Sequence, residues 1–390
     1  VSILFFVFST LVLNEAFSQA KTIEDIEAEI KVERDPGTLV RLLVEKSRMV
    51  SNSYPDSARK IALEALQYAS RTGSTIDSVL ALNQIGRAYY AQSNYDVAAA
   101  KQNEALLLAL TVPDSIRVHA KLYNDLAICL NSKGLSDSSL ALHTKALQIR
   151  ESIGDKLGIA GSLNNIAIIF HNSGKIKEAR EKYLDVKEKY EEIENSEGIG
   201  FTFNNLATLE IDQGNYALGM QYMLDAMEIF EGLGYKHKML ILAINLAYLY
   251  ELHSQFDLAV QYNEMALRLS DESGNKQFLG KALTTKGSLL IKHDSIDAGI
   301  AAINQAIDIF DELDLPSGLG NAKLYLAGGF EKKGLYDSAI ITAMEARTIW
   351  ETYGYAFGVA IVNNRLAKFY NHNGEYTNAI NYAKRRSKSR

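Results

Sequence analysis

Between Gly161 and Arg180 the chain reads GSLNNIAIIFHNSGKIKEAR, and its apolar positions Leu163, Ile166, Ala167 and Phe170 recur at three- and four-residue intervals. That spacing lays them on one face of an α-helix. The pattern halts at Gly174 and resumes with Ala179, Tyr183 and Val186, so a second helix follows the first after a glycine turn. The predicted unit is a helical hairpin. Steps of 40 from Gly174 meet Gly134, Gly214, Ser254, Asp294, Gly334 and Gly374, and Ser93 and Ser53 extend the series upstream after one step of 41, which makes nine turns. A fixed period of this length marks a repeat array, and it sets aside the two or three separate cores that 390 residues would otherwise imply.

Small side chains keep the same register. Five residues after each turn stand Ala58, Ala98, Ser139, Ala179, Gly219, Ala259, Gly299, Ala339 and Ala379. Seven before it the later eight units carry Gly86, Ala127, Ala167, Ala207, Ala247, Gly287, Ala327 and Ala367. Twelve after it come Ala65, Ala105, Ala146, Ala226, Ala266, Ala306 and Ala346, with Val186 as the exception. Three small positions per unit predict three places where helices approach closely. Six second helices also place an aspartate in their first turn (Asp56, Asp96, Asp137, Asp257, Asp297, Asp337). There a carboxylate meets the free N–H groups and the positive end of the helix dipole, so these are read as helix starts and not as acid catalysts.

Segments such as LNNIAIIFHNSGKIKEAREKYLDV and LAGGFEKKGLYDSAIITAMEARTIW join a small residue, a G-x-aromatic-x-x-A stretch and a later alanine. In this the chain resembles the tetratricopeptide repeat, in the longer 40-residue form seen in kinesin light chain and in the sensor regions of bacterial signalling proteins. The resemblance covers residues 38–390 and implies an all-α fold, a right-handed superhelical solenoid of antiparallel helix pairs. It departs from the pattern at Lys46, which stands at the small position of the first unit, and at Arg386, which replaces the alanine of the last. The last unit stops partway through its second helix, and the expectation is that the natural chain continues.

By the same resemblance, the first helix of each pair lines a concave surface. Three residues before the small position these helices carry Asn83, Asn124, Asn164, Asn204 and Asn364; the next position carries Asn165, Asn205 and Asn245, with Gln84 and Asp125 standing in elsewhere. Adjacent residues on a helix point about 100° apart, so the two columns take different roles. The first resembles the groove position whose asparagines grip the backbone of an extended peptide, and the second a position that bonds across helices within the repeat. An amide, both donor and acceptor, suits either task, and the residues alone leave open that both columns are structural. One turn further along the groove stand Arg87, Ile128, Ile168, Thr208, Tyr248, Ser288 and Lys368. The family's carboxylate clamp of paired lysines and an arginine on successive first helices is not matched. Asn83, Arg87, Asn124, Asn164, Asn204, Tyr248, Asn364 and Lys368 are therefore the candidate peptide-binding residues.

Composition narrows the function further. A net charge of −6, with the only basic run at the C-terminal KRRSKSR, does not fit a phosphate-tracking surface, so nucleic acid is not the expected partner. The single cysteine, Cys129, lacks the second thiol of a redox or zinc motif and reads as a small buried hydrophobe. Nucleotide-binding, zinc-protease, hydrolase-elbow and kinase motifs are not found; NSGK at Asn172–Lys175 sits at a repeat turn without the upstream glycine of a P-loop. His253 and His293 lie one repeat apart, but packed helices are about 8–10 Å apart and zinc ligands about 2 Å from the ion, so no metal is assigned. Trp350 takes an apolar second-helix position and is expected in the core. The expectation is a non-catalytic protein without cofactors.

The first twenty residues, VSILFFVFSTLVLNEAFSQA, differ from the rest: an apolar stretch from Ile3 to Leu13, a polar spacer, then Ser18-Gln19-Ala20 directly before a charged segment. This is the layout of a signal peptide truncated at its start, too short to span a bilayer, which takes about 20 apolar residues. Residues 1–20 are read as that signal and 21–37 as an N-terminal helix and linker. The expected protein is exported, periplasmic or surface-associated, and binds an extended protein or peptide partner. The alternative is the sensory periplasmic region of a larger signalling protein, with a membrane helix and a kinase, cyclase or DNA-binding output domain downstream. Oligomeric state is not legible.

Overall fold

Among residues 22–51, 54–113 and 115–386, which the computed structural model describes, every regular element is an α-helix. The helices are α1 (Ile23–Val32), α2 (Pro36–Val50), α3 (Pro55–Thr72), α4 (Thr75–Ala91), α5 (Tyr95–Ala109), α6 (Ile116–Ser132) and α7 (Ser136–Ser152). They continue as α8 (Lys156–Asn172), α9 (Ile176–Glu191), α10 (Ser196–Asp212), α11 (Tyr216–Gly232), α12 (Lys236–Leu252) and α13 (Phe256–Glu272). The remainder are α14 (Lys276–Lys292), α15 (Ile296–Glu312), α16 (Pro316–Lys332), α17 (Tyr336–Thr352), α18 (Ala356–His372) and α19 (Tyr376–Arg386). From α2 onward even-numbered helices open a hairpin and odd-numbered ones close it. The described residues fall into two units, one ending at Leu209 and the other beginning at Glu210, both within the span of α10. Each unit is an all-α solenoid in which consecutive helices pack antiparallel. The signal-peptide reading of 1–20 and the turn residue Ser53 lie outside the described residues.

The forty-residue period is two helices of about 17 residues and two three-residue turns. Each turn works the same way. At Gly174 (φ +72°) the chain turns left-handed; the Lys175 N–H donates to the Phe170 carbonyl and the Gly174 N–H to the His171 carbonyl, both at 2.9 Å. Carbonyls that the helix end would leave unpaired are thereby satisfied. The sequence pattern tracks only this turn, but a second left-handed column closes the other end of each helix pair: Gly73, Gly154, Gly234, Gly274 and Gly354, with Glu194 (φ +53°) and Asp314 (φ +48°) in the same register.

The three predicted small columns are buried through most of the array, Ala367 and Ala379 in the last repeat being part-exposed. Ala58, Ala65, Ala98, Ala105, Ala127, Ala146, Ala167, Ala247, Ala306 and Ala346 have no exposed surface. At one crossing Gly287 on α14 meets Gly299 on α15, where a Cβ on Gly299 would lie 2.6 Å from the Gly287 carbonyl oxygen. In the first hairpin Ser47, not Lys46, is the buried small residue. Its hydroxyl donates to the Ala58 carbonyl at 2.7 Å over 11 residues; the equivalent bond from Ser139 to Ala127, also 2.7 Å, spans 12. The first hairpin is one residue shorter between its contact points, and this turns Lys46 outward to pair with Glu27 at 3.0 Å.

A fourth contact column was not read from the sequence. Near the end of three second helices a large side chain lies over a glycine of the next first helix: Tyr190 over Gly198, Phe310 over Gly318 and Trp350 over Gly358, with Trp350 also against Gly320 on the first helix of its own hairpin. Trp350 is buried together with Leu366 and Phe369, as its position predicts. Cys129 is buried too, but as a donor: its thiol bonds Gln102 Oε1 at 2.9 Å, and burial pushes its pKa up to about 12. The six first-turn aspartates begin their helices as expected. Four of them also clamp the following repeat: Asp56 accepts from Gln92 (2.8 Å), Asp96 pairs with Lys133 (2.6 Å), Asp337 accepts from Asn373 (3.0 Å) and Asp297 pairs with Lys333.

A Cβ at Gly358 would lie 2.4 Å from Trp350 Cε3, and a buried indole has no flexible end to move aside. Gly358→Ala is expected to lower stability by about 1–3 kcal/mol through overpacking, whereas Glu194→Gly, which relieves a left-handed residue, should raise it by roughly 0.5–1 kcal/mol. Urea unfolding of the two variants, read by circular dichroism, checks both signs.

Candidate functional site

Successive first helices approach one another directly: α2 and α4, α4 and α6, α12 and α14, α14 and α16, α16 and α18. In a stack of hairpins the row of helices in mutual contact lies on the shorter, inner arc. The first helices therefore line the concave side of each unit, and the candidate residues sit on them.

In the N-terminal unit the two asparagine columns meet. Asn165 Nδ2 donates to Asn124 Oδ1 at 2.9 Å, and Asn205 Nδ2 donates to Asn164 Oδ1 at 2.9 Å. The second column thus ties successive repeats together, one amide per step, where the family resemblance implied a bond within the repeat. All four amides are half-buried and keep contact with solvent. One step earlier Asp125 replaces the asparagine and reverses the arrangement: Asn83 Nδ2 donates to Asp125 Oδ2 at 2.9 Å, and Arg87 pairs with the same oxygen at 3.6 Å. Asp125, Asn83 and Asn204 are all buried. Arg87 is committed to Asp125. Of the four asparagine candidates in this unit, Asn124 and Asn164 are the ones that are not buried.

The C-terminal unit carries different chemistry. Glu251 on α12, 8% exposed, accepts from Ser288 Oγ at 2.6 Å and from Lys292 Nζ at 2.8 Å, both on α14 and both at Oε1. Tyr248 stands one turn before Glu251, half-buried; burial, then the Glu251 charge, pushes its phenol pKa up. Tyr325 on α16 has the same causes in the same order and stays protonated. Arg365 on α18 pairs with Glu331 at 4.0 Å, and His372 Nδ1 lies 3.1 Å from the other oxygen of Glu331. Lys292 and Arg365 are thus each paired with a carboxylate of a neighbouring first helix. Asn364 is half-buried and Lys368 exposed, and neither makes a hydrogen bond or ion pair to another described residue. Of the eight candidates, five belong to one unit and three to the other.

Glu251 was missed by sequence reasoning because its column carries Tyr90, Asn131, His171, Ile211, Ile291, Glu331 and Asn371 in other repeats, a mixture with no chemical theme. Asp125 was visible only as a substitute in the second column. The two turn histidines do not face one another. His253 packs on the Tyr216 ring with centroids 4.8 Å apart, and His293 on Phe256 at 3.3 Å. Among the described residues no three His, Cys, Asp or Glu side chains converge to hold a metal ion, and no helix is long and apolar enough to cross a membrane.

A tetratricopeptide-repeat family model matches residues 118–192 and 199–272. Over those two stretches the chain carries tetratricopeptide repeats. Among solved structures, the apo form of RapI is similar with a TM-score of 0.59 at 17% identity, covering 85% of this chain and 92% of that one. A Rap protein complexed with Competence and Sporulation Factor gives 0.57 at 15% identity, over 94% of this chain and 93% of that one. A signal transduction ATPase with numerous domains and a tetratricopeptide repeat sensor, from Pyrococcus horikoshii, gives 0.58 at 14% identity, over 92% of this chain and 59% of that one. At such identities the likeness is one of fold. Comparison with curated protein sequences gave no match.

Asp125 holds Asn83 and Arg87 in a buried setting, so Asp125→Ala would leave both without their shared acceptor. A loss of roughly 2–4 kcal/mol is expected, measured by urea unfolding, while Asn205→Ala, which breaks one half-exposed tie, should cost less than about 1.5 kcal/mol.

Proposed function

We propose that this protein is a non-catalytic scaffold that binds an extended peptide or protein segment along the concave face of its N-terminal unit. The observation that carries this reading is the pair of groove-facing amides, Asn124 and Asn164, held one repeat apart by Asn165 and Asn205 at 2.9 Å. Amides offer a donor and an acceptor to any peptide group regardless of its side chain, so a row of them favours backbone over sequence. Similarity of fold to a Rap protein complexed with Competence and Sporulation Factor supports a protein or peptide partner. The self-neutralised charges of the C-terminal unit, Glu251 with Lys292 and Arg365 with Glu331, favour a partner of low net charge over a polyanion.

The apolar leader and its Ser18-Gln19-Ala20 end support an exported protein whose mature chain starts near Lys21. A role as the sensory part of a signalling protein is the second reading, supported by the likeness to the tetratricopeptide repeat sensor of the Pyrococcus horikoshii protein. Intact-mass measurement of the protein recovered from its native host should give a chain beginning near Lys21; an uncut chain in the cytosol rules out export.

The binding reading is tested by titration. A ten-residue peptide selected from a randomised library against the full chain should lose about tenfold or more in affinity for the Asn124→Ala, Asn164→Ala double variant, consistent with two lost hydrogen bonds. Thermal stability of that variant should fall only modestly. A large stability loss with unchanged affinity reassigns both amides to a structural role.

A further inference from the structure

In the C-terminal unit the second column ends in Tyr325 on α16 and Arg365 on α18, and one turn further along the inner face stand Tyr248 on α12 and Gly328 on α16. Tyrosine and arginine are long enough for side chains on the inner arc to reach a common space. Both phenols lie in the field of two charges: after burial, Glu251 raises the pKa of each, and Arg365 opposes it. A carboxylate and a guanidinium three repeats apart thus flank the same two rings.

The cluster has unused capacity. Glu251 is buried, yet it spends only Oε1, on Ser288 and Lys292, and no described residue bonds Oε2. The Lys292 pair keeps this carboxylate ionised. Neither phenol hydroxyl bonds a described residue, and Arg365 meets Glu331 only at 4.0 Å, which leaves guanidinium donors open. Between these groups lies a glycine without a packing reason. Gly287, Gly318, Gly320 and Gly358 each face a neighbour that a Cβ would strike, but nothing lies within 4 Å of where a Cβ on Gly328 would stand. Its backbone is not left-handed, and glycine inside a helix is less favourable than alanine. Open space over bare backbone is what the close approach of a ligand requires.

We propose that this part of the inner face is a binding site for a free α-amino acid, its ammonium on Glu251 Oε2, its carboxylate on Arg365 and its body over Gly328 between Tyr248 and Tyr325. Glu251 with Lys292 and Arg365 with Glu331 balance in charge, so an ion of one sign would match one end of the site and not the other. A zwitterion matches both, through charge-assisted hydrogen bonds of about 2.7–2.9 Å, and the phenol rings offer their faces to the ammonium. A residue inside a peptide has lost both charges and does not fit. The site is separate from the asparagine ties of the N-terminal unit and does not rest on the peptide-binding reading.

The experiment is calorimetric titration of the full chain with each of the twenty common L-amino acids. At least one should bind, one per chain, and its N-acetyl and amide forms should each bind about tenfold more weakly or worse. Glu251→Gln should lower affinity for the free amino acid about tenfold and remove the difference between it and its N-acetyl form; Arg365→Gln should do the same for the amide. Gly328→Ala should unfold at the same urea concentration as wild type or a higher one, whereas Gly328→Leu, which fills the space, should weaken binding about tenfold or more. The Asn124→Ala, Asn164→Ala variant should bind the amino acid like wild type, which keeps this result apart from any failure of peptide binding. If none of the twenty binds, or if the N-acetyl form binds as tightly as the free amino acid, the inference falls. Binding that survives both Glu251→Gln and Gly328→Leu unchanged puts the amino acid elsewhere and overturns it as well.

Discussion

Each hairpin closes where the backbone of one helix meets a residue with almost no side chain on the other. Gly299 lies against the Gly287 carbonyl, Ser139 and Ser47 bond across the crossing to Ala127 and Ala58, and alanines without exposed surface fill most of the remaining positions. A larger side chain there would wedge the helices apart. Backbone contact at these crossings sets how closely the two helices of a hairpin approach. The asparagine ties at 2.9 Å exist only because successive first helices come that close.

The second constraint is that helix ends are expensive to leave unpaired. Left-handed turn residues recover the last carbonyls at both ends of the pairs, and among the described residues five of these positions are not glycine: Ser93, Glu194, Ser254, Asp294 and Asp314. Serine and aspartate in that conformation are tolerated because the turn's backbone bonds hold them there. Exposed clamps such as Lys133 with Asp96 add little individually in water, but they recur at the same register and so favour the same repeat-to-repeat alignment that the buried contacts impose.

On the concave side the two units solve the problem of buried polar groups differently. The N-terminal unit pairs Asp125 with Arg87 at one step and then uses neutral amides, which satisfy one another and still have hydrogen-bonding capacity to spare. The C-terminal unit uses charges: Glu251, almost fully buried, takes both Ser288 and Lys292 on one oxygen. A buried carboxylate must be paired to stay ionised, so these groups are committed to one another. This difference in spare capacity, more than exposure, separates the two faces as surfaces for a backbone ligand.

The forty-residue period, the helical hairpin, the three small columns and the helix-starting aspartates were all legible, because each is a local requirement that repeats. Helical spacing, a turn residue or a contact alanine shows in the sequence wherever it is needed nine times. The contacts between repeats were less legible. Gly158, Gly198, Gly318 and Gly358 keep the period, yet their reason, a large side chain lying over each from the preceding helix, involves a partner outside the local pattern. Register in the first hairpin was misread at Lys46 because its one-residue shortening leaves the turn-based alignment intact while moving Ser47 into the contact. By itself the sequence determined that asparagines would line up along the inner helices. Only the packing of one repeat on the next decided that each would bond its neighbour's, since hydrogen bonds between side chains 41 residues apart depend on a distance that no single repeat encodes.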